Sequence, residues 1–291
     1  MRKPLFTGVC TALVTPFIHN KINFPMADIL LQRQIDARIP AVVVCGTTGE
    51  APTLSDEEKI QLIARSKQYA GNHLLILAGT GSNNTEHAVH LSKAAQDAGA
   101  DALLIVSPYY NKATDTGLIA HFIAIAHAVT VPIILYNVPS RTGVDIPVKV
   151  YQQLSQVPNI IGVKEASADI EKLLKIRSAC GSDFSIWTGN DSMTVPAISL
   201  GCQGVISVAS NLIPRQMQDM AAAAIDGDFD TATHLQLQFQ ELCQLLFCEV
   251  NPIPVKAAMK LIGYDCGPCR LPLSPISREN LQKIKEHFRI P

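Results

Sequence analysis

The sequence predicts an α/β fold, a (β/α)₈ barrel of the TIM type followed by a C-terminal helical extension. Three observations carry that expectation. Short β-branched runs recur at intervals of roughly 20 to 35 residues, helix-like segments fill the spaces between them, and from about Pro214 onward only helical patterning remains. Strand–helix alternation sustained this long requires a parallel sheet, and eight units is the number that closes a barrel.

The strands are expected over Gly8–Thr15, Ala41–Cys45, Leu74–Gly79, Ala102–Ser107, Ile133–Asn137, Ile160–Glu165, Ser185–Thr188 and Gly204–Ser207. The clearest helix between them is Asp56–Tyr69, because Ser55 and Glu58 form a capping box at its start. The chain divides into a barrel over residues 1–213 and a helical region over 214–291 packed on it, with no linker or low-complexity stretch between. A doubly wound open sheet is the alternative, but no G-x-G-x-x-G follows the first strand to give it a nucleotide site.

Composition narrows the function. The chain has 291 residues, 47% of them hydrophobic, which suffices for one large core. A net charge of −1 with 17% charged residues leaves no basic face for nucleic acid and no acidic tail. Met1-Arg2-Lys3-Pro4 leads into a mixed stretch containing Pro16 and His19 rather than an apolar signal region, and no stretch approaches a membrane span. Most of the eight cysteines lie in apolar runs such as Val44-Cys45 and Leu242-Cys243, where a thiol behaves as a small hydrophobe, so a cytoplasmic setting with reduced thiols is expected. Cys266-Gly267-Pro268-Cys269 has redox or half-zinc spacing, but it lacks a second pair and a nearby histidine cluster.

The run Ile160-Ile161-Gly162-Val163-Lys164-Glu165 places a lysine near the end of a buried strand. Burying an unpaired ammonium is costly, and loss of its proton yields a nucleophilic amine that condenses with a ketone or aldehyde. The segment alone leaves open a lysine paired with an acid at the strand end. In a barrel the active site lies at the C-terminal ends of the strands. Alternation puts Lys164 on the face of Gly162, with Ile161 and Val163 toward the helices, and Gly162 is expected to leave room for the lysine stem. On the preceding strand Tyr136 shares a face with Ile134, so its phenol reaches the same space and suits proton transfer beside a Schiff base. A hydrogen-bonded tyrosine capping the core is the plainer reading. After the second strand, Cys45-Gly46-Thr47-Thr48-Gly49-Glu50 allows a tight turn that presents amides and hydroxyls to a small carboxylate or phosphate. No lysine follows in P-loop position, which favours an organic acid over a nucleotide.

Five segments together resemble the 4-hydroxy-tetrahydrodipicolinate synthase (dihydrodipicolinate synthase) family of pyruvate-dependent class I aldolases over nearly the whole chain. They are Gly46-Thr47-Thr48-Gly49-Glu50, Ser107-Pro108-Tyr109-Tyr110-Asn111, Tyr136-Asn137-Val138-Pro139-Ser140-Arg141-Thr142-Gly143, Gly162-Val163-Lys164-Glu165 and Asn251-Pro252-Ile253-Pro254-Val255-Lys256. The resemblance implies a lyase of lysine and diaminopimelate biosynthesis that condenses pyruvate with L-aspartate 4-semialdehyde through an imine on Lys164. It implies Tyr136 as acid/base, with Thr47 and Tyr110 completing a hydroxyl relay and Tyr110 supplied across a dimer interface. The amides of Thr47 and Thr48 would hold the pyruvate carboxylate, backbone at Gly189 and Ile206 would lie beside the lysine, and Arg141 would grip the semialdehyde carboxylate. No metal or cofactor is implied, and the assembly expected is a homotetramer made of tight dimers.

N-acetylneuraminate lyase and sugar-acid aldolases share the lysine and tyrosine, but Arg141 in Ser-Arg-Thr-Gly and the Tyr-Tyr-Asn run look like the synthase. A barrel kept only for binding or regulation is the remaining alternative, and it gives no physical reason to hold all five of Lys164, Tyr136, Thr47, Tyr110 and Arg141. Lysine-inhibited members use a histidine and a glutamate where this chain carries Lys59 and His87, although Asn83 and Tyr109 match the inhibited pattern. A cation at Lys59 would repel the ammonium groups of lysine, so weak or absent feedback inhibition is expected.

Overall fold

The structure, a computed structural model, describes residues 3–289. Eight strands close into a parallel barrel in chain order: β1 (Gly8–Ala12), β2 (Ala41–Val44), β3 (Leu75–Gly79), β4 (Ala102–Val106), β5 (Ile133–Asn137), β6 (Ile160–Glu165), β7 (Ser185–Thr188) and β8 (Gly204–Ser207). Closure is made by β8 on β1, with Gly8 opposite Gly204 and Thr11 opposite Ser207. The last four strands keep the bounds read from sequence. The first stops at Ala12 rather than Thr15, because loop bonds replace the ladder: Val14 N donates to Asn211 Oδ1 (3.2 Å) and Thr15 Oγ1 to Gly49 O (2.7 Å).

Alternation along each strand separates two apolar layers. The barrel interior is a small cluster that includes Cys10, Val43, Leu77, Ile134, Trp187 and Ile206, closed at the N-terminal end by Phe6 stacked on Trp187 at 4.7 Å. The larger layer lies between the strands and the helices and includes Val42, Ile76, Leu103, Leu135 and Val163. At roughly 1.5–3 kcal/mol per buried aliphatic side chain, this outer layer carries most of the stability and leaves the C-terminal mouth free for polar groups.

Helices α1 (Phe24–Asp36), α2 (Asp56–Ala70), α3 (Thr85–Asp97), α4 (Asp115–Ala128), α5 (Val148–Leu154), α6 (Ile170–Cys180) and α7 (Thr194–Ser199) follow the first seven strands. The capping box read from sequence is present on α2, with Ser55 Oγ accepting from Glu58 N (3.2 Å) and Glu58 Oε2 from Ser55 N (3.0 Å). Helix α8 (Pro214–Ile225) packs on β1, where Gln218 Oε1 accepts from Val9 N at 3.0 Å, and so occupies the position of the eighth barrel helix. Then come α9 (Phe229–Leu245), α10 (Ile253–Leu261) and α11 (Arg278–His287). The region after Pro214 is not helical throughout: residues 264–276 are irregular and are pinned by Arg270, which holds both oxygens of Glu58 at 2.6 and 2.7 Å. A small hairpin, Phe17–Ile18 with Lys21–Ile22, was not anticipated.

One alternation differs from expectation. The β5–β6 register shifts between Ile133 and Ile134, which pair with Ile160 and Gly162, so Ile161 is an extra residue on β6. The bulge turns Ile161 into the interior cluster instead of toward the helices. Among the described residues no helix is long and apolar enough to cross a membrane.

Candidate active site

The register of β5 on β6 places Tyr136 directly opposite Lys164. Both are buried, and Lys164 Nζ lies 4.5 Å from the centroid of the Tyr136 ring. Among the described residues Lys164 forms no ion pair, so the alternative of a strand-end partner does not hold. The neighbouring acid, Glu165, points the other way. It is buried and accepts from Asn137 Nδ2 (2.9 and 3.0 Å), Tyr151 Oη (3.2 Å) and Ser167 N (2.9 Å), which engages its oxygens behind the strand. Burial, reinforced by the Glu165 charge, pushes the Tyr151 phenol well above its ordinary range.

The glycine that makes room for the lysine is not the one expected. A Cβ on Gly162 would lie 2.2 Å from Ser185 O, so Gly162 is required by the close approach of β7. A Cβ on Gly189 would lie 3.0 Å from Lys164 Cε and 2.5 Å from Ala166 Cβ. Gly189 is therefore the residue whose missing side chain accommodates the lysine stem. Its amide donates to Glu165 O at 2.7 Å, which fixes it against the end of β6. Ile206 is fully buried on β8 and joins the same interior cluster as Tyr136.

Thr47, Tyr136 and Arg141 line one cavity of about 510 Å³ at the barrel mouth. The loop after β2 that brings Thr47 there turns on Cys45 (φ 54°) and Glu50 (φ 57°). Within it Glu50 N donates to Thr47 O (3.1 Å) and Ala51 N to Gly46 O (3.2 Å), while the amides of Thr47 and Thr48 take no part in the backbone hydrogen bonding of the described residues. Two unengaged N–H groups side by side form an anion-binding concavity. Arg141 sits on a one-turn helix, Pro139–Thr142, after β5, and its Nη2 donates to Asn251 O at 3.2 Å. Tyr110 stands apart, 91% exposed with a φ of 71°.

The comparisons with known proteins bear on this geometry. Residues 5–290 match the Dihydrodipicolinate synthetase family. The chain belongs to that family. It is 47% identical over 283 residues to the 4-hydroxy-tetrahydrodipicolinate synthase of Thermoanaerobacter sp. (strain X514), covering 97% of this chain and 95% of the relative. The crystal structure of dihydrodipicolinate synthase from Aquifex aeolicus superposes with a TM-score of 0.96 at 41% identity, covering 98% of this chain and 97% of that one. That of DHDPS from Cyanidioschyzon merolae with lysine bound gives 0.95 at 38%, covering 99% and 98%.

Within this family member, several residues that sequence reasoning left without a role hold the site in place. Lys256, on α10, donates from a buried Nζ to Glu50 Oε1 (2.8 Å), Thr15 O (3.1 Å) and Pro268 O (3.1 Å), one acceptor per ammonium proton. Glu50 Oε2 accepts from Arg270 N at 2.8 Å, so the β2 loop is clamped by α10 together with the irregular segment that follows it. Asn251 Nδ2 donates to Thr48 Oγ1 at 2.9 Å. Asp191, just past β7, accepts through Oδ2 from Val208 N (3.0 Å) and Ala209 N (2.9 Å). Burial pushes its carboxyl up, against the pull of these bonds and of the Lys164 charge. The signal available in the sequence was Lys256, the one charged residue in the otherwise apolar run of residues 253–259.

Lys59 and His87 line the same cavity and meet at one acid. Lys59 Nζ lies 3.2 Å from Asp56 Oδ1 and His87 Nε2 lies 2.8 Å from Asp56 Oδ2. Burial alone would raise Asp56, but these hydrogen bonds outweigh it and hold the carboxyl below its ordinary value. Cys266 and Cys269 are free thiols, pushed by burial up to about 12 and about 11, which leaves little thiolate near neutral pH.

Proposed function

We propose that the chain catalyses the 4-hydroxy-tetrahydrodipicolinate synthase reaction, the condensation of pyruvate with L-aspartate 4-semialdehyde. The observation that carries this reading is the buried Lys164 amine set against Tyr136 on the adjacent strand, 4.5 Å from Nζ to ring centroid, at the C-terminal end of a closed barrel. Lys164 Nζ attacks C2 of pyruvate, water leaves, and an imine forms. Loss of a C3 proton gives the enamine, whose C3 adds to the aldehyde carbon. The substrate amine then attacks the imine carbon and expels Lys164 as the ring closes.

Tyr136 transfers the protons of these steps, and Thr47 and Tyr110 extend the relay to solvent. The Thr47 and Thr48 amides hold the pyruvate carboxylate, backbone at Gly189 and Ile206 borders the imine, and Arg141 holds the carboxylate of the aldehyde. A tyrosine 91% exposed with left-handed backbone supports a Tyr110 that reaches into a neighbouring subunit's site, and with it a homotetramer built from tight dimers. A cytoplasmic setting with reduced thiols follows from the same reading. We also place the boundary between barrel and helical region after Ile225 instead of at residue 213, on the packing of α8 against β1. Turnover of the two substrates coupled to the following nicotinamide-dependent reductase tests the function. Rate dependent on both supports it; silence, with pyruvate still trapped on Lys164 by borohydride, moves the assignment to a sibling pyruvate aldolase.

A further inference from the structure

One residue beyond Tyr136 and Lys164, the same two strands carry a second facing pair. Asn137 lies opposite Glu165, and both are buried, at 0% and 2% exposure. Alternation turns this pair away from the cavity, toward α5 and α6. Asn137 Nδ2 donates to Glu165 Oε1 at 2.9 Å and Oε2 at 3.0 Å, and to Asp145 Oδ1 at 2.8 Å, while Asn137 Oδ1 accepts from Ile146 N at 3.0 Å. Glu165 also accepts from Tyr151 Oη on α5 and from Ser167 N. Lys172 Nζ on α6 lies 3.7 Å from Glu165 Oε2 and donates to Asp145 Oδ1.

These bonds decide a register that the backbone leaves open. Ahead of the bulge Ile133 faces Ile160, and past it Ile134 faces Gly162, so two registers one residue apart meet within one strand pair. Carried through, the first would set Tyr136 opposite Val163 and turn Lys164 to the helix side, because a one-residue slip moves every side chain to the other face. Ladder bonds form in either register, and the choice falls to side chains. In the slipped register Asn137 would face Lys164, and the Glu165 carboxylate would turn into the barrel, away from its donors. The same two residues also reach the lysine through the backbone, since Ala166 N donates to Asn137 O at 2.9 Å and Gly189 N to Glu165 O at 2.7 Å. We infer that Asn137 and Glu165 are positioning residues, a lock behind the sheet that holds the register in which Lys164 meets Tyr136. This rests on the proposed pyruvate imine on Lys164 and explains how the strand pair that carries it tolerates a bulge.

The test is borohydride trapping of pyruvate in the full-length protein, read as a maximal rate and a half-saturating pyruvate concentration. The two separate because the Thr47 and Thr48 amides proposed to hold pyruvate lie on the β2 loop, outside β5 and β6. Asn137→Leu keeps the volume and removes the amide. It is expected to lower the maximal rate about 100-fold, the effect of displacing a reacting group by 1 Å, with half-saturation within about threefold of wild type. A folded variant whose maximal rate stays within about threefold of wild type overturns the inference. A rate loss matched by an equal weakening of pyruvate marks general disorder of the mouth and overturns it too. Glu165→Gln keeps the size but sets an N–H against those donors; it is expected to give the same split, and it carries the test if Asn137→Leu does not fold. Because both residues act through one contact, the double variant should be no more than about threefold slower than the slower single one, and losses that multiply overturn the inference. Absence of trapping in the wild type removes the imine reading and this inference together. Wild-type trapping with unslowed variants removes the inference alone.

Discussion

Replacing Gly189 with alanine puts a methyl carbon where the structure has none. The new Cβ would stand 2.5 Å from Ala166 Cβ and 3.0 Å from Lys164 Cε, against an ordinary carbon–carbon contact near 3.8 Å. About 1 Å of movement is needed on the Ala166 side and most of an ångström on the lysine side. Neither side yields freely. Ala166 N is bonded to Asn137 O at 2.9 Å and Gly189 N to Glu165 O at 2.7 Å, so the two strand ends are tied on both flanks of the clash. The softest degree of freedom is the lysine stem, which swings away from Tyr136. A 1 Å misplacement of a reacting group costs on the order of 100-fold in rate. Gly189→Ala is therefore expected to slow single-turnover trapping of pyruvate by borohydride about 100-fold while the protein stays folded, since the clash is confined to the mouth of the barrel. Trapping within about threefold of wild type in a folded variant would refute the role given to Gly189.

Three further outcomes follow from the geometry. Lys256→Met leaves Glu50, whose side chain is 0% exposed, charged and without its cation, and should cost roughly 3–5 kcal/mol in urea unfolding; Glu50→Gln in the same background should recover part of it, and a cost under about 1 kcal/mol contradicts the clamp. His121 is 5% exposed with Nε2 unpartnered, and burial lowers it from 6.5 to about 4. As pH falls from 6.5 toward 4 the unfolded chain takes up a proton that the folded one refuses, so up to roughly 3 kcal/mol of stability is lost over that window. His121→Gln should flatten that slope relative to wild type, whereas parallel curves would remove His121 as its source. Free lysine should inhibit weakly or not at all, because the Lys59 ammonium, paired with Asp56 at 3.2 Å, sets a cation in the cavity; half-maximal inhibition at submillimolar lysine contradicts this.

The sequence made the barrel legible because each strand is a local pattern, and the last four strands end where their β-branched runs end. Lys164 and Tyr136 were legible for the same reason: alternation fixes which face a residue takes, and adjacent parallel strands fix who sits opposite. What escaped was set by contacts between remote segments. Asn251 holding Thr48, and Lys256 holding Glu50, span more than two hundred residues of chain, and no local period carries that information. Gly162 has a different purpose from the one its sequence context suggests, because a missing side chain shows its purpose only when the neighbouring backbone is in place. Gly162 serves the approach of β7, and Gly189 the lysine. Ile161 was placed on the wrong face because a bulge is a property of two strands together, invisible in either one. The contact of α8 with β1 was not legible because the two lie at opposite ends of the chain.

Incubation with pyruvate and borohydride, followed by mass mapping of the modified peptide, reads the Lys164 imine itself. One reduced pyruvyl adduct per chain is expected, on Lys164, absent from Lys164→Ala and slowed when Tyr136 is replaced by phenylalanine. An unmodified Lys164, or an adduct on another lysine that persists in Lys164→Ala, would contradict it.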